Sequence, residues 1–251
     1  MLEIKNIRVY DLEESIVTRG FPMSTGELAE NFEYEVDCVR AYLKSLKTNT
    51  FPVNEEMVEI GRKHFNSACG LAKNPAGSGH ENFLKGIRVS FNLKFPEYIS
   101  PQLQRYNWFD IVSSESKMHR LTKMDIKDSC NEYVDDLVID NLDKWIEIYN
   151  SFEKDIALIT CDGDVFYIKS NDKFYNQKVG NRYTKYEIFM KIVSNCPMGL
   201  EKWMGISTNY MQLKTIFNQR ETHKLKEDYS VLCEFIKDLP KSKELILGSR
   251  K

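Results

Sequence analysis

The residue types able to do chemistry in this chain gather in two stretches, and they are the types that hold an anion. The first runs from Gln102 through Arg105 to a cluster of Ser113, Ser114, Ser116, Lys117, His119 and Arg120. The second, residues 207–223, carries Asn209, Lys214, Arg220 and His223. A guanidinium donates two parallel hydrogen bonds to a phosphate, and a serine hydroxyl adds another. Arg105, Arg120 and Arg220, with Ser113, Ser114 or Ser116, therefore read as a phosphate clamp. No nucleophile has an obvious activating base, and no G-x-S-x-G, P-loop or H-E-x-x-H pattern is present.

The elements that must position these groups follow from periodicity. From Ile87 to Phe95, apolar Ile87, Val89, Phe91, Leu93 and Phe95 alternate with polar residues, which predicts a half-buried strand. Pro96 lacks a backbone donor and ends the ladder, and Ser100-Pro101 supplies a cap and a first-turn proline for a helix to about Phe109. On such a helix Gln102 and Arg105, three residues apart, are neighbours on one face. In the second stretch, Ser207 or Thr208 is the expected cap of a helix that buries Leu213, Ile216 and Phe217 and leaves Asn209, Lys214 and Arg220 more exposed.

Elsewhere, Leu2–Tyr10 alternates as an opening strand, residues 11–25 read as a loop, and residues 27–47 carry apolar positions at threes and fours. Residues 48–52 break that helix. Asn54 caps the next one, to about Ala72, with Glu55 and Glu56 where the dipole favours them. His64 lies on it and reads as structural. Residues 74–79 form a turn-rich connection. A short helix over 122–130, a firmer one over 134–152, a helix over 183–196 closed by Pro197, and an amphipathic one over 225–239 are expected, with a polar tail from Pro240. The Asp162-Gly163 pair between two β-prone runs predicts a hairpin within residues 155–170.

With 35 Lys plus Arg against 37 Asp plus Glu, the net charge of −2 gives no general attraction to a nucleic acid polymer, so anion recognition must be local. No apolar run approaches the roughly 18 residues of a membrane span, and the first ten residues are too polar for a signal peptide. The six cysteines, Cys38, Cys69, Cys130, Cys161, Cys196 and Cys233, never approach C-x-x-C spacing. No metal site is expected, and a reducing cytoplasm is the consistent compartment. Without internal repeats or regular strand–helix alternation, residues 1–251 read as a single α/β domain, its sheet mixed or mainly antiparallel and flanked by helices.

These residues, in this order, resemble the flavin-dependent thymidylate synthases. In that family a strand leads to Q-x-x-R-H-R and then to S-x-N-E-x-S-x-R-Y. Here Gln102 and Arg105 stand at the first motif, followed by Tyr106 and Asn107 in place of its histidine and second arginine, and Ser116 and Arg120 correspond to the second with a small insertion. Gly79-His80 falls where many members carry a Gly-His pair, and Gly86 stands where the family usually has a histidine. The family's N-x-R-S-L-x-x-F-x-x-x-R helix is similar to the second stretch, with Asn209 and Arg220 matching, Met211 replacing the inner arginine and His223 one residue early.

The resemblance implies reductive methylation of dUMP, or of a related pyrimidine nucleotide, at C5, in which flavin supplies the hydride and the protein supplies positioning and electrostatics. It implies FAD as cofactor, methylenetetrahydrofolate and NADPH as co-substrates, and a homotetramer or homodimer. Gln102, Arg105, Ser114, Ser116, Arg120 and Arg220 would bind substrate, and His80, Tyr106, Asn107, Asn209 and His223 would lie toward the cofactor. The departures outside the motifs resemble those of phage-encoded members. Two alternatives stay open, a non-catalytic nucleotide-binding relative and a structural protein that keeps only the fold.

Overall fold

A computed structural model describes residues 2–47, 54–75, 77–152, 156–160, 163–168 and 180–248. In chain order the elements are β1 (Glu3–Tyr10), α1 (Leu12–Thr18), α2 (Glu27–Glu30), α3 (Phe32–Ser45), α4 (Glu55–Ala72), β2 (Arg88–Pro96), α5 (Ser100–Leu103) and β3 (Asp110–Ser114). Then come α6 (Lys117–Arg120), α7 (Ile126–Ser129), α8 (Asp136–Asn150), β4 (Ile156–Thr160), β5 (Val165–Ile168), β6 (Gly180–Tyr183) and α9 (Lys185–Ser194). The chain closes with β7 (Glu201–Asn209), α10 (Tyr210–Arg220), α11 (Lys226–Asp238) and α12 (Ser242–Leu245). Helices and antiparallel strands together make a mixed α/β protein, divided into two compact units, residues 1–93 with 102–113 and 204–251, and residues 94–101 with 114–203.

The first unit is built on a four-stranded sheet in the order β1-β2-β7-β3, so that sequence-distant β7 lies between β2 and β3. The alternation of β2 appears as expected, with Val89, Phe91 and Leu93 at 2% exposure or less. Phe91 packs at a tilt against Phe235 of α11, ring centroids 4.7 Å apart, and meets Phe109 edge-on. Asn54 caps α4 by accepting from the Met57 amide. Helices α3 and α4 approach so closely that a Cβ on Gly61 would sit 2.1 Å from the Cys38 carbonyl oxygen, a contact only glycine permits.

The second unit packs α8 and α9 through Ile139, Leu142, Ile146, Ile188 and Ile192. Its sheet is antiparallel, order β5-β4-β6, with Ile159 opposite Val165 and Asn181. The hairpin is therefore present, with Gly163 at φ +89°, while Asp162 and the expected break at 48–52 lie outside the described residues. β6 had no clear signal, and α9 starts one residue after Thr184, whose hydroxyl and Glu187 form a reciprocal capping box.

Several expectations are corrected. The supposed loop at 11–25 contains α1, because Ile16 and Val17 are fully buried. The helix expected over 27–47 is interrupted at Asn31. The tail from Pro240 is not polar throughout, since Leu245 and Ile246 are buried at α12. Ser207 and Thr208 belong to β7, and the cap of α10 is Asn209, whose Oδ1 accepts from the Gln212 amide at 2.9 Å. The helix after Pro96 is a single turn, α5. Beyond it the chain proceeds by separate turns, held where Thr208 donates to the Trp108 carbonyl at 2.6 Å and where Phe109 is buried. Gln102 and Arg105 thus do not share a helix face.

The largest correction is Lys214. It is 2% exposed, and its Nζ donates to Glu81 Oε2 at 2.7 Å and to the carbonyls of Ala72 at 2.7 Å and Asn74 at 3.2 Å. Glu81 is equally buried, and its other oxygen accepts from the Gly77 amide at 2.8 Å. An ammonium satisfied by three oxygens at the end of α4 ties that helix and the Gly77–Glu81 turn to α10. Removing one partner strands a buried charge, so Lys214→Ala is expected to cost about 3–5 kcal/mol in urea unfolding. Glu81→Leu combined with Lys214→Met should lose clearly less than the sum of the two single changes. Additive losses would show that the two charges do not interact.

Candidate functional site

Helix α10 ends at Arg220, and the guanidinium there gathers residues from three separate parts of the first unit. Its Nε donates to the Tyr106 hydroxyl at 2.8 Å, and its Nη1 donates to Gln102 Oε1 at 3.1 Å. Tyr106 in turn donates to Gln219 at 3.0 Å, and Gln102 Oε1 also accepts from the Tyr229 hydroxyl at 3.0 Å. The guanidinium lies over both tyrosine rings, 5.6 Å from Tyr106 and 4.7 Å from Tyr229. Cation–π contacts and neutral oxygens hold it in place, and among the described residues no carboxylate pairs with it.

That arrangement leaves a half-buried positive charge held only by neutral acceptors, with Nη2 unused among the described residues. A phosphate brings full negative charge, and charge-assisted hydrogen bonds are roughly twice as strong as neutral ones. An anion can therefore take Nη2 and compete for Nη1 with Gln102. Burial pushes the Tyr229 hydroxyl up to about 12, against the opposing influence of Arg220, so it remains a neutral donor.

The predicted site residues fall into four groups. Gln102, Tyr106 and Arg220 meet directly, and His223 joins them through an edge-on contact of 4.7 Å with Tyr229. Arg105, Asn107 and His80 are exposed in the first unit, Arg105 and Asn107 flanking Tyr106 in sequence and His80 next to buried Glu81. Asn209 is 9% exposed, and its side chain caps α10. In the second unit, Ser114 ends β3, Ser116 precedes α6 without a side-chain cap bond, and Arg120 pairs with Glu115. Glu115 also accepts from the Trp203 amide at 3.0 Å, so Arg120 has a local acidic partner that the sequence reading did not foresee.

Tyr229 and Gln219 were missed. Tyr229 lies on an amphipathic helix where an aromatic residue reads as core, and its hydrogen bond to Gln102 spans 127 residues. Gly86 also gains an explanation, since a Cβ there would come within 2.4 Å of the Ser15 hydroxyl on α1. Any side chain at that position would force Ser15 to shift. The thiols of Cys69 and Cys130 are each pushed up to about 11 by burial, which removes them as nucleophiles near neutral pH. Among the described residues, no group of His, Cys, Asp and Glu is arranged to hold a metal ion, and no helix is long and apolar enough to cross a membrane.

No family model matches the sequence, and neither does any curated protein. Solved structures place the fold among the flavin-dependent thymidylate synthases. The chain is similar to thymidylate synthase X (ThyX) from Helicobacter pylori, solved with FAD and dUMP, at 12% identity and a TM-score of 0.54 over 100% of both chains. It is also similar to the UMP/dUMP methylase PolB from Streptomyces cacaoi, bound with 5-Br dUMP, at 11% identity and a TM-score of 0.51 over 99% of this chain and 94% of that one. At such identities the likeness establishes the fold and leaves the chemistry to the site.

Slight burial, then the charge of Arg220 and that of Lys224, holds His223 below its ordinary 6.5. A positive neighbour disfavours the imidazolium, so Arg220→Ala should move the His223 midpoint upward, part of the way to 6.5, in an NMR titration. An unchanged midpoint would separate His223 from the Arg220 cluster.

Proposed function

We propose that this chain binds the phosphate of a pyrimidine nucleotide at Arg220 and acts as a divergent flavin-dependent thymidylate synthase-like enzyme that methylates dUMP, or a related nucleotide, at C5. The observation that carries this reading is the half-buried Arg220 guanidinium, framed by Tyr106, Tyr229 and Gln102 without a carboxylate among the described residues. Arg220 would fix the phosphate, and Gln102, released from its bond to Arg220, would turn its amide toward the nucleotide. Exposed Arg105 supplies a second cation on the same segment. Ser114, Ser116 and Arg120 join the substrate-binding set on the strength of their motif resemblance, with Arg120 first leaving Glu115.

FAD is the proposed cofactor, with methylenetetrahydrofolate as one-carbon donor and NADPH as reductant, in a homotetramer or homodimer whose sites draw on more than one subunit. Three of the five residues expected toward it suit that use. His80 and Asn107 are exposed, and His223 is accessible, whereas Asn209 is buried in its capping role and Tyr106 is engaged with Arg220. Bound flavin supplies the hydride. The chain's own share is to orient the nucleotide and neutralise its phosphate, which is electrostatic positioning rather than nucleophilic catalysis.

A second reading, a nucleotide-binding relative without catalysis, is favoured by one observation. Tyr106, at the position of the family's histidine, is turned onto Arg220 and Gln219. Titration calorimetry with dUMP, together with absorbance spectra before and after added FAD, separates the possibilities. We expect dUMP binding that Arg220→Ala weakens by at least about tenfold, and flavin absorbance after reconstitution. Binding of dUMP without flavin would select the second reading, and dUMP binding indifferent to Arg220→Ala would overturn both.

A further inference from the structure

A cavity of about 490 Å³ lies in the first unit between the end of α3, the start of α1 and the turn from α11 into α12. None of the predicted nucleotide-site residues lines it. Its wall carries six cationic side chains, Arg40, Lys44, Lys47, Lys237, Lys241 and Lys243, against the acidic Glu13, Asp238 and Glu244. Some of that charge is met locally, as where Arg40 pairs with Asp37 and Lys237 with Glu234. Lys47, Lys241 and Lys243 have no carboxylate partner among the described residues. Lys241 instead lies 5.6 Å over the Phe65 ring. With six cationic side chains against three carboxylates, the wall carries an excess of positive charge, which an anion relieves.

A separate observation points the same way. Ser242 lines this cavity at 1% exposure, and its hydroxyl has no hydrogen-bond partner among the described residues. A buried hydroxyl without a partner costs free energy, which an acceptor oxygen brought to it would relieve. Lys241 just before it holds a left-handed conformation at φ +57°, unusual for a side chain of its length. The remaining wall is apolar, with Leu12 and Leu43 both nearly buried. The volume suits a small molecule, and the concave, half-apolar shape does not suit a polymer backbone.

We propose that this cavity binds a small ligand carrying a polyphosphate group. Lys47, Lys241 and Lys243 neutralise its charge, Ser242 donates its unused hydroxyl to a phosphate oxygen, and the leucine wall accepts whatever apolar part the ligand has. The site is independent of Arg220.

Titration calorimetry with inorganic tripolyphosphate, and separately with ATP, tests this on the full chain. Tripolyphosphate should bind the unaltered protein, and Lys241→Gln/Lys243→Gln should weaken it by about tenfold or more. Lys47→Gln, which leaves the α12 turn untouched, should weaken it severalfold, as should Ser242→Ala, with melting temperatures checking that each variant is folded. In Arg220→Ala, where the anion receptor of α10 is gone, the cavity's tripolyphosphate site should persist with its affinity unchanged, and dUMP should not displace the ligand from it. Tighter binding of ATP than of tripolyphosphate would assign the leucine wall to the nucleoside. No binding at millimolar tripolyphosphate, equal binding by the lysine variants, or loss of binding in Arg220→Ala would each overturn the proposal.

Discussion

The buried pair of Lys214 and Glu81 is the constraint on which the geometry of the first unit depends. Desolvating two charges is expensive, and the interior tolerates it here because every hydrogen-bonding direction of the ammonium meets an oxygen and both oxygens of the carboxylate are engaged. Such a pair has one good geometry. It fixes α10 against the end of α4 and the turn carrying His80, and Asn209 fixes the start of the same helix through its cap. With one end capped and the middle pinned, the position of Arg220 at the far end is determined.

What that helix presents is a cation without an anion among the described residues. A half-buried arginine is ordinarily expected to pair with an acid where one is at hand, as Arg120 in the second unit does with Glu115. Arg220 instead is held by two tyrosines and a glutamine, partners that position the charge without cancelling it. The departure from the family pattern at Tyr106 gains a physical meaning from this. A phenol there accepts from Arg220 and supports it with its ring, which a protonated side chain at the same place could not do. The likeness to ThyX and to PolB concerns the fold, and the Arg220 cluster is where this chain's own residues give it chemical content.

The sequence made some of this visible and concealed the rest for identifiable reasons. Strand β2 was legible because its two faces meet different environments, and α4 because Asn54 and the acidic first turn mark its start. The fold type was legible through ordered motif residues, not through periodicity. Helix α1 was hidden because its acidic and apolar residues mimic a loop, and α12 because charged neighbours mask Leu245 and Ile246. Lys214 was misplaced because a lysine on a helix is ordinarily solvated, and only a partner 133 residues away makes its burial tolerable. Arg105 was placed on a helix by local signals that Phe109 and Thr208 override. Within the candidate site, Gln102, Tyr106, Arg220 and His223 were found from motif positions, whereas Tyr229 depended on a contact no local pattern encodes.

The central claim is that Arg220 is an anion receptor kept open by neutral partners. A crystal structure grown with dUMP addresses it directly. The account predicts phosphate oxygens about 3 Å from the Arg220 guanidinium, with Gln102 displaced from it. A structure with dUMP bound elsewhere, and Arg220 still closed on Gln102 and Tyr106, would contradict it.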